Sequence, residues 1–268
     1  MLSLHRVLLG ALVALPLAAQ ATPAQAKNGW HAKQTHSGGA RTATADIYYA
    51  HHRLRVETDG EDTVMIIDLP TGDLTLINTP KKLVAQASLQ ELVKMREDMK
   101  AQMKAAMANM PEERRKMAEQ LLKEQEDANK RPLEVKKSER TDTVAGMKCT
   151  YFTWTGAEGS GESCLADKLA VDMSGFRADA RALAKRLAET GAGTSAATSV
   201  ELLQLADHGF PLKSLRRMSM GPAKFETNSS LESIEAVELP KAKFEGPADF
   251  KKTTFQEFMQ ATAPAAGR

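Results

Sequence analysis

The sequence is poor in the features that usually announce chemistry. It holds two cysteines in 268 residues and no Cys-x-x-Cys pair. It has no Gly-x-Ser-x-Gly, no phosphate loop, no His-Glu-x-x-His and no Cys-His arrangement with local support, so an enzyme reading has nothing to rest on. Charge of one sign is not in excess: 36 Lys plus Arg stand against 34 Asp plus Glu, which gives no electrostatic case for nucleic acid. After the N-terminal segment no apolar run is long enough to cross a bilayer.

What is present starts with a targeting pattern. Arg6 precedes the apolar run Val7 to Ala19, and two small-residue sites follow, Ala19-Gln20-Ala21 and Ala24-Gln25-Ala26. Residues 1–26 therefore read as a secretory signal peptide, too short for a comfortable membrane span. No cysteine lies near the cleavage region, so nothing suggests a lipid-modified N-terminus. The expected location is periplasmic or secreted. There, Cys149 and Cys164 are expected to pair across a hairpin turning at Gly159-Ser160-Gly161. Two buried free thiols or a redox pair are the alternatives.

Residues 27–44 are polar and read as a linker with a mobile beginning. His31 and His36 have no carboxylate or thiol for company, so solvated residues are expected there rather than a metal site. From Ile47 to Gln86 the chain reads as a meander of short strands. Around Arg53 the alternation is clean, with His51, Arg53, Arg55 and Glu57 on one face and His52, Leu54 and Val56 on the other. Asp59-Gly60 is a two-residue hairpin signal. Leu69-Pro70-Thr71-Gly72-Asp73 and Asn78-Thr79-Pro80 break the next strands, Thr63 to Leu69 and Leu74 to Asn78.

These stretches, IYYAHHRLRVE, TVMIID, GDLTLIN and KKLVAQ, resemble the opening of the periplasmic lipoprotein carriers LolA and LolB. The sequence is also similar to an exported bacterial family classed as domain of unknown function 4412, through a Met-rich helical insert after the meander and a Gly-x-x-Cys strand, here Gly146-Met147-Lys148-Cys149. The resemblance runs from about Ala45 to Pro247. It implies an α+β fold, a curved antiparallel sheet or unclosed barrel with helices as a lid, and an apolar or lipid-like ligand or a lipoprotein as partner. The family pattern also implies a turn near Ala50-His51. The aromatic often found after the second cysteine-bearing strand is replaced by Cys164-Leu165-Ala166. On this reading residues 45–250 form one domain and 251–268 a C-terminal tail.

Ser88 and Glu91 make a capping box. Leu92, Met95, Met99, Met103, Ala106 and Met110 then recur at helical spacing, with Lys94, Lys100 and Lys104 opposite. Asn109-Met110-Pro111 breaks the pattern, and Pro111-Glu112-Glu113 restarts a helix with Met117, Leu121 and Leu122 on its apolar side. A helical hairpin from Ser88 to Asn129, after the fourth strand, is expected. Its Met stripe has three readings: core filler, adaptable surface over a cavity, or Cu(I) site through Met99, Met103 and Met107.

Leu133 to Arg140, Val144 to Trp154 and Glu162 to Ala166 read as strands. Phe176, Ala180, Leu183 and Leu187 mark a third helix, and Thr198 with Glu201 the cap of a fourth. Leu212 to Met220, Lys224 to Ser229 and Leu231 to Val237 close the sheet, and Phe255 to Met259 is a short helix. Arg216 and Arg217, beside Met218 and Met220, are either a solvated strand or a holder for an anionic headgroup.

Three functions remain. The first is a non-enzymatic carrier with a pocket lined by Leu54, Val56, Val64 and Ile66 from the sheet and Leu92, Met95, Met99 and Met103 from the helix, needing no cofactor. The second is a protein-interaction module using the Met helices, and the third a copper binder. A cavity between sheet and helices favours the first. A filled core with an exposed apolar helix face favours the second.

Overall fold

The structure is a computed structural model describing residues 27–38, 41–129, 133–156, 159–166, 168–190, 205, 207–220 and 223–263. It opens with six strands: β1 (Gly29–Gly38), β2 (Arg41–Ala50), β3 (Arg53–Thr58), β4 (Thr63–Asp68), β5 (Leu74–Asn78) and β6 (Leu83–Ala87). Two helices follow, α1 (Leu89–Ala108) and α2 (Glu112–Asn129). Then come β7 (Glu134–Val144), β8 (Met147–Gly156), β9 (Gly159–Ala166) and α3 (Ser174–Thr190). The chain ends with β10 (Phe210–Met220), β11 (Ala223–Val237), a 3-10 turn at Lys241–Phe244, β12 (Lys251–Thr253) and α4 (Phe255–Thr262). All twelve strands join one large, curved, unclosed sheet in the order β12-β6-β5-β4-β3-β2-β1-β11-β10-β9-β8-β7. Among the described strands, only the short edge strand β12 runs parallel to its neighbour.

Residues 27–44 are not a loose linker. β1 is hydrogen-bonded on both sides, to β2 and to β11, and Trp30, Ala32 and Gln34 point into the interior while His31, Lys33 and Thr35 are half-buried on the other face. Six of the strand's ten residues are polar, which hides a period-2 pattern. The segment after residue 250 is likewise part of the fold, since β12 pairs with β6 and α4 buries Phe258.

The long first strand of the meander is broken at His51-His52. Both adopt positive φ, 53° and 62°, the geometry of a two-residue primed hairpin turn joining Ala50 to Arg53. Side-chain hydrogen bonds hold these non-glycine residues there. His51 Nε2 lies 3.0 Å from the Leu239 carbonyl, and His52 Nδ1 lies 2.9 Å from Asp179. With this turn and β1 counted, the helical insert follows the sixth strand, not the fourth. Ala145 and Gly146, also at positive φ, turn β7 into β8, so Val144 ends one strand rather than opening the next. The Asp59-Gly60 signal sits in a four-residue loop between β3 and β4. The capping pair Thr198 and Glu201 lies outside the described residues.

Along β1 to β6 the sheet has two differently covered faces. One carries Trp30, Tyr49, Leu54, Ile67 and Leu74, and α3 packs on it with Leu183 and Leu187, joined by Leu89 and Val93 of α1. Trp30 stacks on Tyr49 at 5.6 Å between centroids, with Phe176 and Phe210 edge-on. The other face carries Ala50, Ile66, Ile77 and Val84 and is covered by the C-terminal strap through Leu239 and Phe244. Cys149 and Cys164 form the expected disulfide, with Cα atoms 5.3 Å apart.

Candidate binding groove

The strap is placed by side chains that alternate along β3. Arg53 Nη1 donates to the Phe244 carbonyl at 3.2 Å, and Arg55 Nη1 to the Lys243 carbonyl at 2.7 Å. Arg53 and Arg55 share a face because a strand repeats every two residues. Arg53 Nε also reaches Asp68 at 3.2 Å, and Arg55 Nε reaches Glu57 at 2.5 Å. Lys243 lies 3.3 Å from Glu57 and 3.7 Å above the Tyr48 ring. Burial would push the Glu57 carboxyl up, but Arg55 and Lys243 outweigh it and hold it below its ordinary value.

Between the strap, the strap-side face of β3 to β6 and the start of α1 lies a cavity of about 710 Å³. Ile66, Val84 and Phe244 supply its apolar wall, and Arg53, Asp68, Glu91 and Lys252 are among the charged groups around it. Asp73 accepts from the Leu89 amide at 3.3 Å, and Ser88 and Glu91 exchange capping-box hydrogen bonds. These bonds to Ser88 hold the Glu91 carboxyl below its ordinary value. The start of α1 is therefore tied to Asp73 and to its own cap beside the groove.

The eight pocket candidates do not come together. Leu54 pairs with Ile67 and Val56 with Met65, so both belong to the helix-covered face. Ile66 pairs with Arg55, and Val64 with Ile77, so both belong to the strap face. Even numbers change face between β3 and β4 because each paired set joins an even to an odd position. Only Ile66 of the eight lines the groove. Leu92 and Met95 are half-buried, whereas Met99 is 62 % and Met103 43 % exposed. The stripe leaves the body of the protein after its first turns and does not cover the sheet. Met107, the third proposed copper ligand, is buried instead, so the trio presents no common surface. Among the described residues no three His, Cys, Asp or Glu side chains gather as a metal site. Arg217 pairs with Glu226 at 3.2 Å on an exposed strand.

Sequence reasoning missed the strap as a wall of the site. The available signal was Arg53-x-Arg55 on an otherwise apolar meander, two cations at a spacing that demands partners on one face. The sequence matches a family described as a domain of unknown function, DUF4412, over residues 34–250. The chain belongs to the DUF4412 family.

No curated protein sequence matches this DUF4412 chain. Among solved structures, PNGF-II in space group C2 is similar over 87 % of this chain and 32 % of its own, at 8 % identity and TM-score 0.41. This chain thus spans about a third of PNGF-II. MucB is similar over 84 % of this chain and 59 % of its own, at 12 % identity and TM-score 0.38. A DUF1329 family protein from Desulfovibrio piger ATCC 29098 is similar over 82 % and 91 %, at 10 % identity and TM-score 0.30.

Proposed function

We propose that this DUF4412 protein is a non-enzymatic, extracytoplasmic binder of an amphiphilic, lipid-like ligand, and that the ligand occupies the groove between strap and sheet. The observation that carries the reading is the groove's lining, in which Ile66, Val84 and Phe244 lie beside Arg53, Asp68 and Lys252. Its volume, about 710 Å³, falls within the range of roughly 300–1,000 Å³ usual for small-ligand sites. An acyl chain entering it gains about 25 cal/mol for each Å² of apolar surface removed from water, while the charged rim keeps a polar head in water. The disulfide fits an oxidising compartment.

The test is uptake of a fluorescent fatty-acyl probe by wild-type protein and by Ala248→Trp, which fills the groove from the exposed strap. Binding by wild type and at least a tenfold loss in the variant is the expected result. Probe uptake unchanged by Ala248→Trp removes the groove from the proposal. No uptake by wild type, with no lipid on the envelope-purified protein by native mass spectrometry, overturns it.

A second reading has its own observation. The helix-covered face is filled by α3, and α1, α2 and the turn between them expose Met99, Met103, Met110 and Met117, which is the arrangement expected of a protein-interaction module. Replacing Met99 and Met103 by Asp separates the two, because only the second reading makes those side chains a contact surface.

A further inference from the structure

Oxidisable side chains are distributed very unevenly in this protein. Of the six large apolar residues that are exposed among those described, five are methionines: Met99, Met103, Met110, Met117 and Met259. Four of the five lie on the α1–α2 hairpin or its connecting turn, with Met99 at 62 % and Met117 at 67 %. Among the other described methionines, Met65, Met95, Met147 and Met218 are half-buried, and further oxidisable groups are hidden. Both cysteines are in the disulfide, Trp30 and Trp154 are each 2 % exposed, and Met107 and Met173 are each 5 % exposed.

We infer that the hairpin is a reversible methionine-oxidation site that takes its oxygen from a peroxide or a hypohalous acid. The thioether sulfur donates an electron pair to the terminal oxygen of the oxidant. A sulfur–oxygen bond forms, the O–O or O–halogen bond breaks, and water, or a halide ion and a proton, leaves. Each sulfur loses two electrons and each oxidant molecule gains two. The product sulfoxide is polar and chiral, and reductases specific for its two epimers return the thioether, two thiols giving up two electrons and two protons to become a disulfide while the oxygen leaves as water.

The hairpin is built to accept this change. Its helices are held by the Ser88 capping box and by exposed ion pairs one turn apart, Lys94–Asp98, Glu112–Lys116 and Arg115–Glu119, not by the thioethers. Met99 and Met103 sit four residues apart and so lie on neighbouring turns of one face. Two oxygens there turn an apolar stripe polar without placing a polar atom in the core. Oxidation of Met107 or Met173 does the opposite, because each is packed.

The experiment treats the folded protein with substoichiometric hydrogen peroxide and follows each methionine by peptide mass mapping, with the thermal midpoint measured on the same samples. Met99 and Met117 are expected to gain oxygen about tenfold or more faster than Met107 and Met173. The midpoint is expected to hold while only the hairpin is oxidised, and the two sulfoxide reductases together should restore the original mass. Equal rates at all four positions overturn the inference, as does a midpoint that falls in step with hairpin oxidation or a sulfoxide that no reductase removes from the folded protein. With peroxide in excess, the Met99→Leu, Met117→Leu protein should take up two fewer oxygens than wild type before its midpoint falls. Should that variant not fold, the site-resolved rates of the wild type still decide.

Discussion

Asn28 and Leu239, 211 residues apart in sequence, are joined by two hydrogen bonds. The Leu239 amide donates to Asn28 Oδ1 at 2.8 Å, and Asn28 Nδ2 donates to the Leu239 carbonyl at 3.0 Å. One side chain thus satisfies both backbone groups of the residue at which the strap begins. Asn28→Ala removes the pair, leaving the Leu239 amide to water and its carbonyl to His51. The expected loss is about 1–2 kcal/mol, read as a lower urea midpoint with an unchanged slope. A change below the error of the measurement means that the strap is held by its other contacts, those of Arg53, Arg55, Lys243 and Phe244 among them.

Asp179 anchors α3 to the sheet. It is buried and accepts from the Tyr49 hydroxyl at 2.7 Å and from His52 at 2.9 Å. Burial, then the bond and charge of Asp179, push the Tyr49 hydroxyl pKa up, so it stays protonated as a donor. Asp179→Ala strands that buried hydroxyl and should cost about 1–3 kcal/mol. Amide exchange should quicken in α3 before it does in β1 and β2. Uniform exchange across both elements contradicts an anchor local to α3.

The Cys149–Cys164 bridge closes a loop of sequence separation 15. On the chain-entropy account such a loop is worth about 3 kcal/mol. The Cys149→Ser, Cys164→Ser protein should therefore remain folded but melt several degrees lower. A thiol assay on unreduced, denatured wild type should find no free thiols, and two would refute the pairing.

The Glu57 site gives a pH dependence of definite sign. Its carboxyl is held below the ordinary 4.5, so the folded state binds that proton less readily than the unfolded chain does. The stabilisation is present above pH 4.5 and is lost as pH falls through the folded value. Thermal midpoints from pH 7 to pH 3 should fall less steeply in Glu57→Gln than in wild type. Parallel curves would place the acid sensitivity elsewhere.

Met99→Asp with Met103→Asp should leave folding stability within about 0.5 kcal/mol, since exposed positions away from packing tolerate change. A loss of several kcal/mol would show that the stripe packs on the body of the protein.

Local chemistry was legible without coordinates. Ser88 with Glu91, the Pro111 restart, the breaks at Pro70 and Pro80 and the period of β3 depend on residues within a few positions of one another, and the sequence displays those directly. Cys149 and Cys164 were legible as a pair for a related reason, because the hairpin between them is short. β1 stayed hidden because it disguises its period behind a polar outer face. The turn at His51-His52 lacks the glycine or asparagine that such turns usually carry, and only the family pattern, with its turn near Ala50-His51, signalled it.

The site depended on longer-range facts. Leu54 and Ile66 are equally apolar and both sit at even positions, yet the β3–β4 register sends them to opposite faces. The Met stripe has a helical period whether it is covered or bare, and only the docking of α3 on the sheet left it bare. The groove needs Phe244 brought back over β3 and β4 by Arg53 and Arg55. The amino-acid sequence by itself determined the periods, caps and turns, because each is an interaction between near neighbours. The tertiary structure alone decided which face each period buried, because register and coverage are set by residues up to some two hundred positions apart.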